Sequence, residues 1–143
     1  MKYLLTLLIL LAPLSLKAEP DNSLLSDKKH FYHYRIHVTQ VYDGDTVTAD
    51  IEVGFGITLM NQKLRLYGIN TPEVRGPEKP DGLYTRDELR KRILGRTLIM
   101  DSHGDSKGKY GRWLATLWVE DDGMWENIND WIVKEKLGKP ATY

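Results

Sequence analysis

The alternation of apolar and polar residues over positions 30–41 constrains the fold of this 143-residue chain most strongly. Apolar side chains at every second position lie on one face of a strand, so this run predicts a β-strand with one solvent-exposed face. An Asp-Gly-Asp sequence at residues 43–45 and a stretch rich in β-branched residues at 46–53 follow. Turn chemistry followed by a second strand predicts a hairpin.

Three further strands are predicted at residues 64–69, 97–101 and 113–119, and two amphipathic helices at residues 83–94 and 127–137. Pro72 ends the first of these strands because proline cannot donate to a strand ladder. Gly95 and Gly138 follow the helices as stop signals. Residues 75–82 hold two prolines and two glycines, which predicts a surface loop. Five short strands with a helix between the third and fourth is the element order of an OB-type barrel, a fold used widely for nucleic acids.

The N-terminal residues 1–18 are typical of a secretory signal peptide, with Lys2, an apolar run and a cleavage point at Ala18. The alternative is an uncleaved anchor helix, but Pro13 interrupts the run, which is shorter than the roughly 20 apolar residues that span a bilayer. Residues 19–29 are polar and are interpreted as a linker, which leaves residues 30–143 as one domain. We therefore expect export to the periplasm or the medium, and no membrane contact after cleavage.

The overall composition does not identify a partner. The chain has no cysteine, which excludes disulfides and thiolate metal sites. Without residues 1–18 it carries 18 basic against 20 acidic side chains, so a nucleic-acid partner does not follow from net charge. The basic residues are clustered, and such clusters can bind phosphate or form a solvated helix face. The clusters are Arg86, Arg90, Lys91, Arg92 and Arg96, and Lys107, Lys109 and Arg112.

Charged groups gather in three segments where a strand meets a loop. In the first, Asp43 and Asp45 flank a glycine and could offer oxygen ligands to a cation such as Ca²⁺. The same residues are common hairpin-turn chemistry, so a purely structural interpretation stays open.

The second segment, residues 64–73, places Arg65 between apolar neighbours. A charge in that setting needs an anion nearby, which could be a substrate or a structural salt bridge. Asn70 and Thr71 could supply neutral oxygens to a cation, and Glu73 is a carboxylate just beyond Pro72.

The third segment, residues 107–112, is a basic loop with two glycines that leads into a strand. It suits phosphate binding, and Tyr110 could add a hydroxyl or a stacking face.

Taken together, the stretches VYDGDTV, RLYGINTPE, KYGR and INDWIVKEKLG resemble those of the staphylococcal nuclease (thermonuclease) family, over residues 37–137. The resemblance implies a mainly β, α+β domain, a five-stranded OB-fold barrel with about three short helices. It also implies a monomeric, Ca²⁺-dependent endonuclease that cleaves DNA and RNA and leaves 3′-phosphate ends.

The resemblance also implies roles for individual residues. Asp45 corresponds to the direct carboxylate ligand, the Thr71 carbonyl to a second ligand, and Asp43 to a carboxylate acting through water. Asn70 stands at a ligand position where many members have aspartate, which would weaken metal binding.

The remaining roles concern catalysis and substrate. Arg65 and Arg112 correspond to the catalytic arginines, and Glu73 to the general base. The phosphate-binding pair is Lys109 and Tyr110, and Tyr143 is a candidate for base stacking.

Two alternatives to an enzyme are considered. One is a non-catalytic OB module that binds single strands or a protein; the other is a periplasmic metal-binding or sugar-binding domain. The joint presence of Arg65, Glu73 and Arg112 argues against the first, because a binder has no need for a carboxylate beside a phosphate.

Overall fold

The computed structural model describes residues 32–104 and 110–142. The predictions of a signal peptide and a linker, and those made for Lys109 and Tyr143, lie outside the described residues. Within them, the chain forms eight strands: β1 Tyr32–Val41, β2 Thr46–Gly54, β3 Ile57–Leu66, β4 Ile69–Asn70, β5 Thr97–Ser102, β6 Trp113–Asp121, β7 Met124–Asn127 and β8 Lys139–Pro140. The helices are α1 Lys79–Ile93 and α2 Ile128–Lys134, with a 3-10 turn at Gly76–Glu78.

Six of the strands form one sheet in the order β3-β2-β1-β5-β6-β7. In addition, β3 pairs in parallel with β6, with Leu64 opposite Trp113 and Leu66 opposite Ala115. This pairing closes strands β1, β2, β3, β5 and β6 into a ring, and β4 pairs with β8 separately. The predicted mainly β architecture is confirmed, while assignment of the ring to the OB type stays a prediction.

Strand β3 begins at Ile57, seven residues earlier than predicted. Its first half pairs with β2 through a tight turn in which Phe55 has a positive φ of 54°. Residues 57–61 are exposed, so this half of the strand lies beyond the core and carries no alternating burial that a sequence pattern could reveal.

The helix boundaries also differ from the predictions. Helix α1 begins at Lys79, four residues early, because Pro80 stands in its first turn, where a missing N–H costs nothing. The predicted loop over residues 75–82 is therefore helical in its second half. Helix α2 ends at Lys134, and Lys136 in the left-handed region (φ 58°) turns the chain away. The described residues hold two α-helices and one 3-10 turn, rather than about three helices.

The core lies inside the ring and beneath the two helices. Each strand of the ring contributes apolar side chains, and α1 and α2 cover them. The fully buried side chains include Ile36, Val38, Val47, Leu64, Leu66, Leu89, Ile93, Leu98, Leu117, Ile128 and Ile132. No helix in the described parts of the chain has the length and apolar character needed to cross a bilayer.

Candidate functional site

The turn between β1 and β2 places two carboxylates below the surface. Asp43 is 8% exposed and Asp45 is 6% exposed. The Asp45 N–H donates to Asp43 Oδ1 at 3.0 Å, and the Tyr42 N–H donates to the Thr46 carbonyl at 2.9 Å. These bonds fix both acids at the end of the ring where β2 begins and β3 ends.

The Asp45 carboxylate contacts two residues of the predicted site, Arg65 and Thr71, and the neighbouring Thr46. Arg65 Nη1 lies 2.8 Å from Asp45 Oδ2 in an ion pair. The Thr71 backbone N–H donates to the same oxygen at 3.0 Å. The Thr46 hydroxyl donates to Asp45 Oδ1 at 3.2 Å. The structure thus brings the first and second motifs together through one buried side chain.

The environment of Asp45 disfavours its charge despite these donors. Burial raises the pKa of Asp45 from 3.8 to about 6, and the neighbouring charge of Asp43 adds to the effect. The positive charge of Arg65 and the hydrogen bonds from Thr71 act in the opposite direction. Two buried acids beside one arginine therefore form a site whose negative charge is incompletely compensated.

Arg65 is held on several sides and is largely buried, with 12% of its side chain exposed. Besides the ion pair with Asp45, Nη2 donates to Asn70 Oδ1 at 3.2 Å and Nη1 donates to the Leu66 carbonyl at 3.3 Å. The need for an anion near Arg65, predicted from its apolar neighbours, is confirmed by Asp45. Asn70 contacts the catalytic candidate Arg65.

Arg112 reaches the same place from the position directly before β6. Its Nη1 donates to the Thr46 hydroxyl at 3.3 Å, and its guanidinium carbon lies 5.2 Å from the centre of the Tyr110 ring. Arg65 pairs with Leu114 across the β3–β6 junction, and Arg112 lies two residues before Leu114, directly ahead of β6. The two arginines therefore converge on the adjacent residues Asp45 and Thr46.

Glu73 is not bonded into this cluster within the described part of the chain. It is exposed, and its backbone N–H donates to Glu78 Oε2 at 3.1 Å. The Glu73 carbonyl lies so close to Gly82 that a Cβ on Gly82 would clash with it. This contact fixes the backbone of the loop, and the Glu73 carboxylate stays exposed. The base role inferred for Glu73 stays a prediction.

The oxygen ligands predicted for Ca²⁺ can be tested against the geometry. Among the described residues no group of three or more His, Cys, Asp or Glu could hold a metal ion. Asp43 and Asp45 nevertheless offer hard, buried carboxylate oxygens on one turn, the donor type that Ca²⁺ prefers. Thr71 packs against that turn, since a Cβ on Gly44 would lie 2.7 Å from its hydroxyl. The donor chemistry of Asp43 and Asp45 is thus of the type that calcium takes, whereas the Asn70 side-chain oxygen accepts from Arg65.

The structure adds residues that the sequence interpretation did not single out. Thr46 links Asp45 to Arg112, and a hydroxyl directly after two turn carboxylates was the available signal. Asn129 is buried at 4% exposure and ties β6 to the end of β3. A polar residue between Ile128 and Ile132 on a helix was a usable hint. The Thr71 N–H donates to Asp45, a contact that the sequence interpretation did not include.

Known proteins resemble this chain in sequence. The chain is 29% identical over 109 residues to a thermonuclease of Staphylococcus intermedius, and 28% identical over 109 residues to a thermonuclease of Staphylococcus hyicus. Each match covers 74% of this chain and 59% of the relative, so the chain spans less than two thirds of either protein's length. An uncharacterized protein of Methanocaldococcus jannaschii is 26% identical over 123 residues, with 71% of this chain and 56% of that protein covered.

Residues 63–142, which include Arg65, Glu73 and Arg112, match the family described as staphylococcal nuclease homologue. This match extends over more than half of the chain and coincides with the strands that carry the arginine pair. The chain belongs to the staphylococcal nuclease homologue family.

Proposed function

We propose that the protein is an exported, calcium-dependent endonuclease that hydrolyses phosphodiester bonds of DNA or RNA and leaves the phosphate on the 3′-oxygen. The observation that supports this best is the convergence of Arg65 and Arg112 on Asp45 and Thr46. Family membership and the thermonuclease relatives support the nuclease class. Export rests on the sequence of residues 1–18 alone.

The two arginines differ in how much of their charge is already compensated. Arg65 is ion-paired with Asp45, whereas Arg112 has no ion pair with any described residue and donates only to a neutral hydroxyl. The planar donors of an unpaired guanidinium suit two oxygens of a phosphate. Arg112 would bind the incoming phosphodiester, and Arg65, held in place by Asp45 and Asn70, would present a fixed donor to the charge that develops on phosphorus oxygens.

Hydrolysis requires a water activated on the side opposite the leaving 5′-oxygen. Glu73 would accept the proton of that water, and its exposed carboxylate lies two residues from Thr71 of the cluster. A Ca²⁺ ion held by Asp43 and Asp45 would supply positive charge to the non-bridging oxygens when bound. Counted by formal charge, Asp43, Asp45 and Glu73 outnumber the two arginines, so a bound cation would make the site attractive to an anionic substrate.

The test is a cleavage assay with single- and double-stranded DNA and RNA, in Ca²⁺ and in a chelator. We expect cutting only with Ca²⁺, and products that carry 3′-phosphate. Arg112→Lys should lower turnover by roughly 100-fold or more, as loss of one well-placed transition-state donor does. Arg35→Lys is the matched control, because Arg35 is exposed and lies 3.9 Å from Glu52 on β2. Full activity in chelator would overturn the proposal.

The separation of Glu73 from the arginine cluster favours a second candidate, a non-catalytic module that binds nucleic acid or a protein. Glu73→Gln distinguishes the two. A nuclease should lose turnover while its binding of an uncleavable oligonucleotide and its circular dichroism spectrum remain. If the wild-type protein binds the oligonucleotide but cuts no substrate, the binding module would be supported.

A further inference from the structure

A groove of about 450 Å³ lies between the end of β1 and helix α1. Its lining includes Gln40, Tyr42, Val74, Arg75, Arg86 and Arg90. None of the roles inferred for the cleavage site uses these side chains. Three arginines in one open groove require an account of what they bind.

The groove carries an excess of positive charge. Asp87 lies 2.8 Å from Arg86 and 3.6 Å from Arg90, so one carboxylate is shared between two guanidinium groups. Arg75 is exposed and has no ion pair with any residue in the described ranges. Three guanidinium groups against one carboxylate leave the groove positive by two charges.

Part of this charge is fixed in position. Arg90 Nη2 and Nε donate to the Val41 carbonyl at 3.0 and 3.3 Å, which anchors the guanidinium at the end of β1. Arg75 and Arg86 are not anchored to backbone carbonyls by any bond found among described residues. They are therefore the side chains that can adjust to a ligand, with Arg90 as a fixed background charge.

The groove adjoins the candidate cleavage site at two points along the chain. Tyr42 directly precedes Asp43, and Val74 directly follows Glu73. Tyr42 is 52% exposed, so an aromatic face is available beside the arginines. Stacking faces combined with positive charge along a groove are how proteins hold single strands, because an unpaired base can lie on the ring while its phosphate meets a cation.

We propose that this groove binds the sugar-phosphate backbone of a single-stranded stretch flanking the bond that is cut. Arg75 and Arg86 contact two phosphates and Tyr42 stacks on a base. The inference rests on the proposed function for its choice of ligand. The groove needs no metal ion, so its binding can be measured where cleavage is silent.

The experiment measures binding of a fluorescent oligothymidylate of about 12 nucleotides, within the roughly 4–16 nucleotide site size of OB folds. Fluorescence anisotropy of the full chain in chelator is recorded over a range of salt concentrations. Each phosphate contact contributes about −0.7 to the slope of log affinity against log salt for single strands. Arg75→Gln with Arg86→Gln should therefore make the slope less steep by about 1.4, and Arg75→Gln alone by about 0.7.

Arg35→Gln is the matched control, since it removes an exposed arginine on β1 that is not among the residues lining the groove, and its slope should equal that of the wild type. Equal slopes for the double variant and the wild type, or no binding by the wild type in chelator, would overturn the groove. The outcome separates the two proposals. If the double variant has the less steep salt slope but the wild type cuts no substrate with Ca²⁺, the nuclease is rejected and the groove is supported. Cleavage with Ca²⁺ together with equal salt slopes for the double variant and the wild type would support the nuclease and reject the groove.

Discussion

Replacing Asn129 with alanine should destabilise the protein far more than replacing the nearby Asn127. The Asn129 side chain is buried and makes three hydrogen bonds. Its Nδ2 donates to the Tyr67 carbonyl at 2.8 Å and to the Ala115 carbonyl at 3.1 Å, and its Oδ1 accepts from the Leu117 N–H at 3.1 Å. These bonds hold helix α2 against the junction of β3 and β6.

The expected magnitude follows from which groups lose a bond. The Ala115 carbonyl retains the Tyr67 N–H, which donates to it at 2.8 Å. The Leu117 N–H and the Tyr67 carbonyl each lose a buried partner, at about 1.5 kcal/mol apiece within the usual range for such groups. We therefore expect a loss of about 3 kcal/mol in the free energy of unfolding.

The matched control is Asn127→Ala, which removes the helix cap formed when Asn127 Oδ1 accepts from the Asp130 N–H at 3.2 Å. Loss of such a cap costs about 1 kcal/mol. Urea denaturation followed by tryptophan fluorescence measures both variants. If the unfolding free energy falls by about 2 kcal/mol per molar urea, the midpoint of the Asn129 variant should lie about 1.5 M below that of the wild type. Equal midpoints for the two variants would refute the account of Asn129 as a tie between the strands.

Three further outcomes are expected. Gly82→Ala should lower stability by about 2 kcal/mol in thermal melts, because a Cβ there collides with the Glu73 carbonyl, and an unchanged melting temperature would contradict this contact. Burial lowers the pKa of His103 below 6.5, so below that pH the unfolded chain binds more protons and stability should rise with pH; His103→Gln should flatten this dependence, and identical urea profiles across pH would contradict it. Asn70→Asp should tighten Ca²⁺ binding in titration calorimetry, since a full charge replaces a dipole, whereas equal affinities would mean that Asn70 serves Arg65 alone.

The strands with one buried face were predictable from the chain alone. Residues 32–41 and 46–54 alternate because one face contacts the core, and the predicted ends lie within two residues of those observed. The first half of β3 was not predictable, because its side chains are exposed on both faces. Strands β4 and β8 are two residues long and exist only through their pairing with each other, which local pattern does not encode.

The candidate site was likewise predictable only in part. Residue types and turn chemistry marked Asp45, Arg65 and Arg112 as candidates, and the family resemblance implied their roles. The bond between Asp45 and Arg65 joins positions 20 residues apart, and no local rule states that the acid would engage the arginine. The role of Thr46 as a bridge was hidden for the same reason, since it depends on Arg112, which lies 66 residues further along the chain.

The parallel junction of β3 with β6 has a consequence for when the candidate site forms during folding. It joins Leu64 to Trp113, residues separated by 49 positions, and non-local pairings of this kind form slowly because chain entropy is lost before contacts compensate. Arg65 and Arg112 stand on the two sides of that junction. A chain with its hairpins formed but the junction open has both arginines and no shared site, so under the proposed function a partly folded molecule would not cut nucleic acid until the ring is complete.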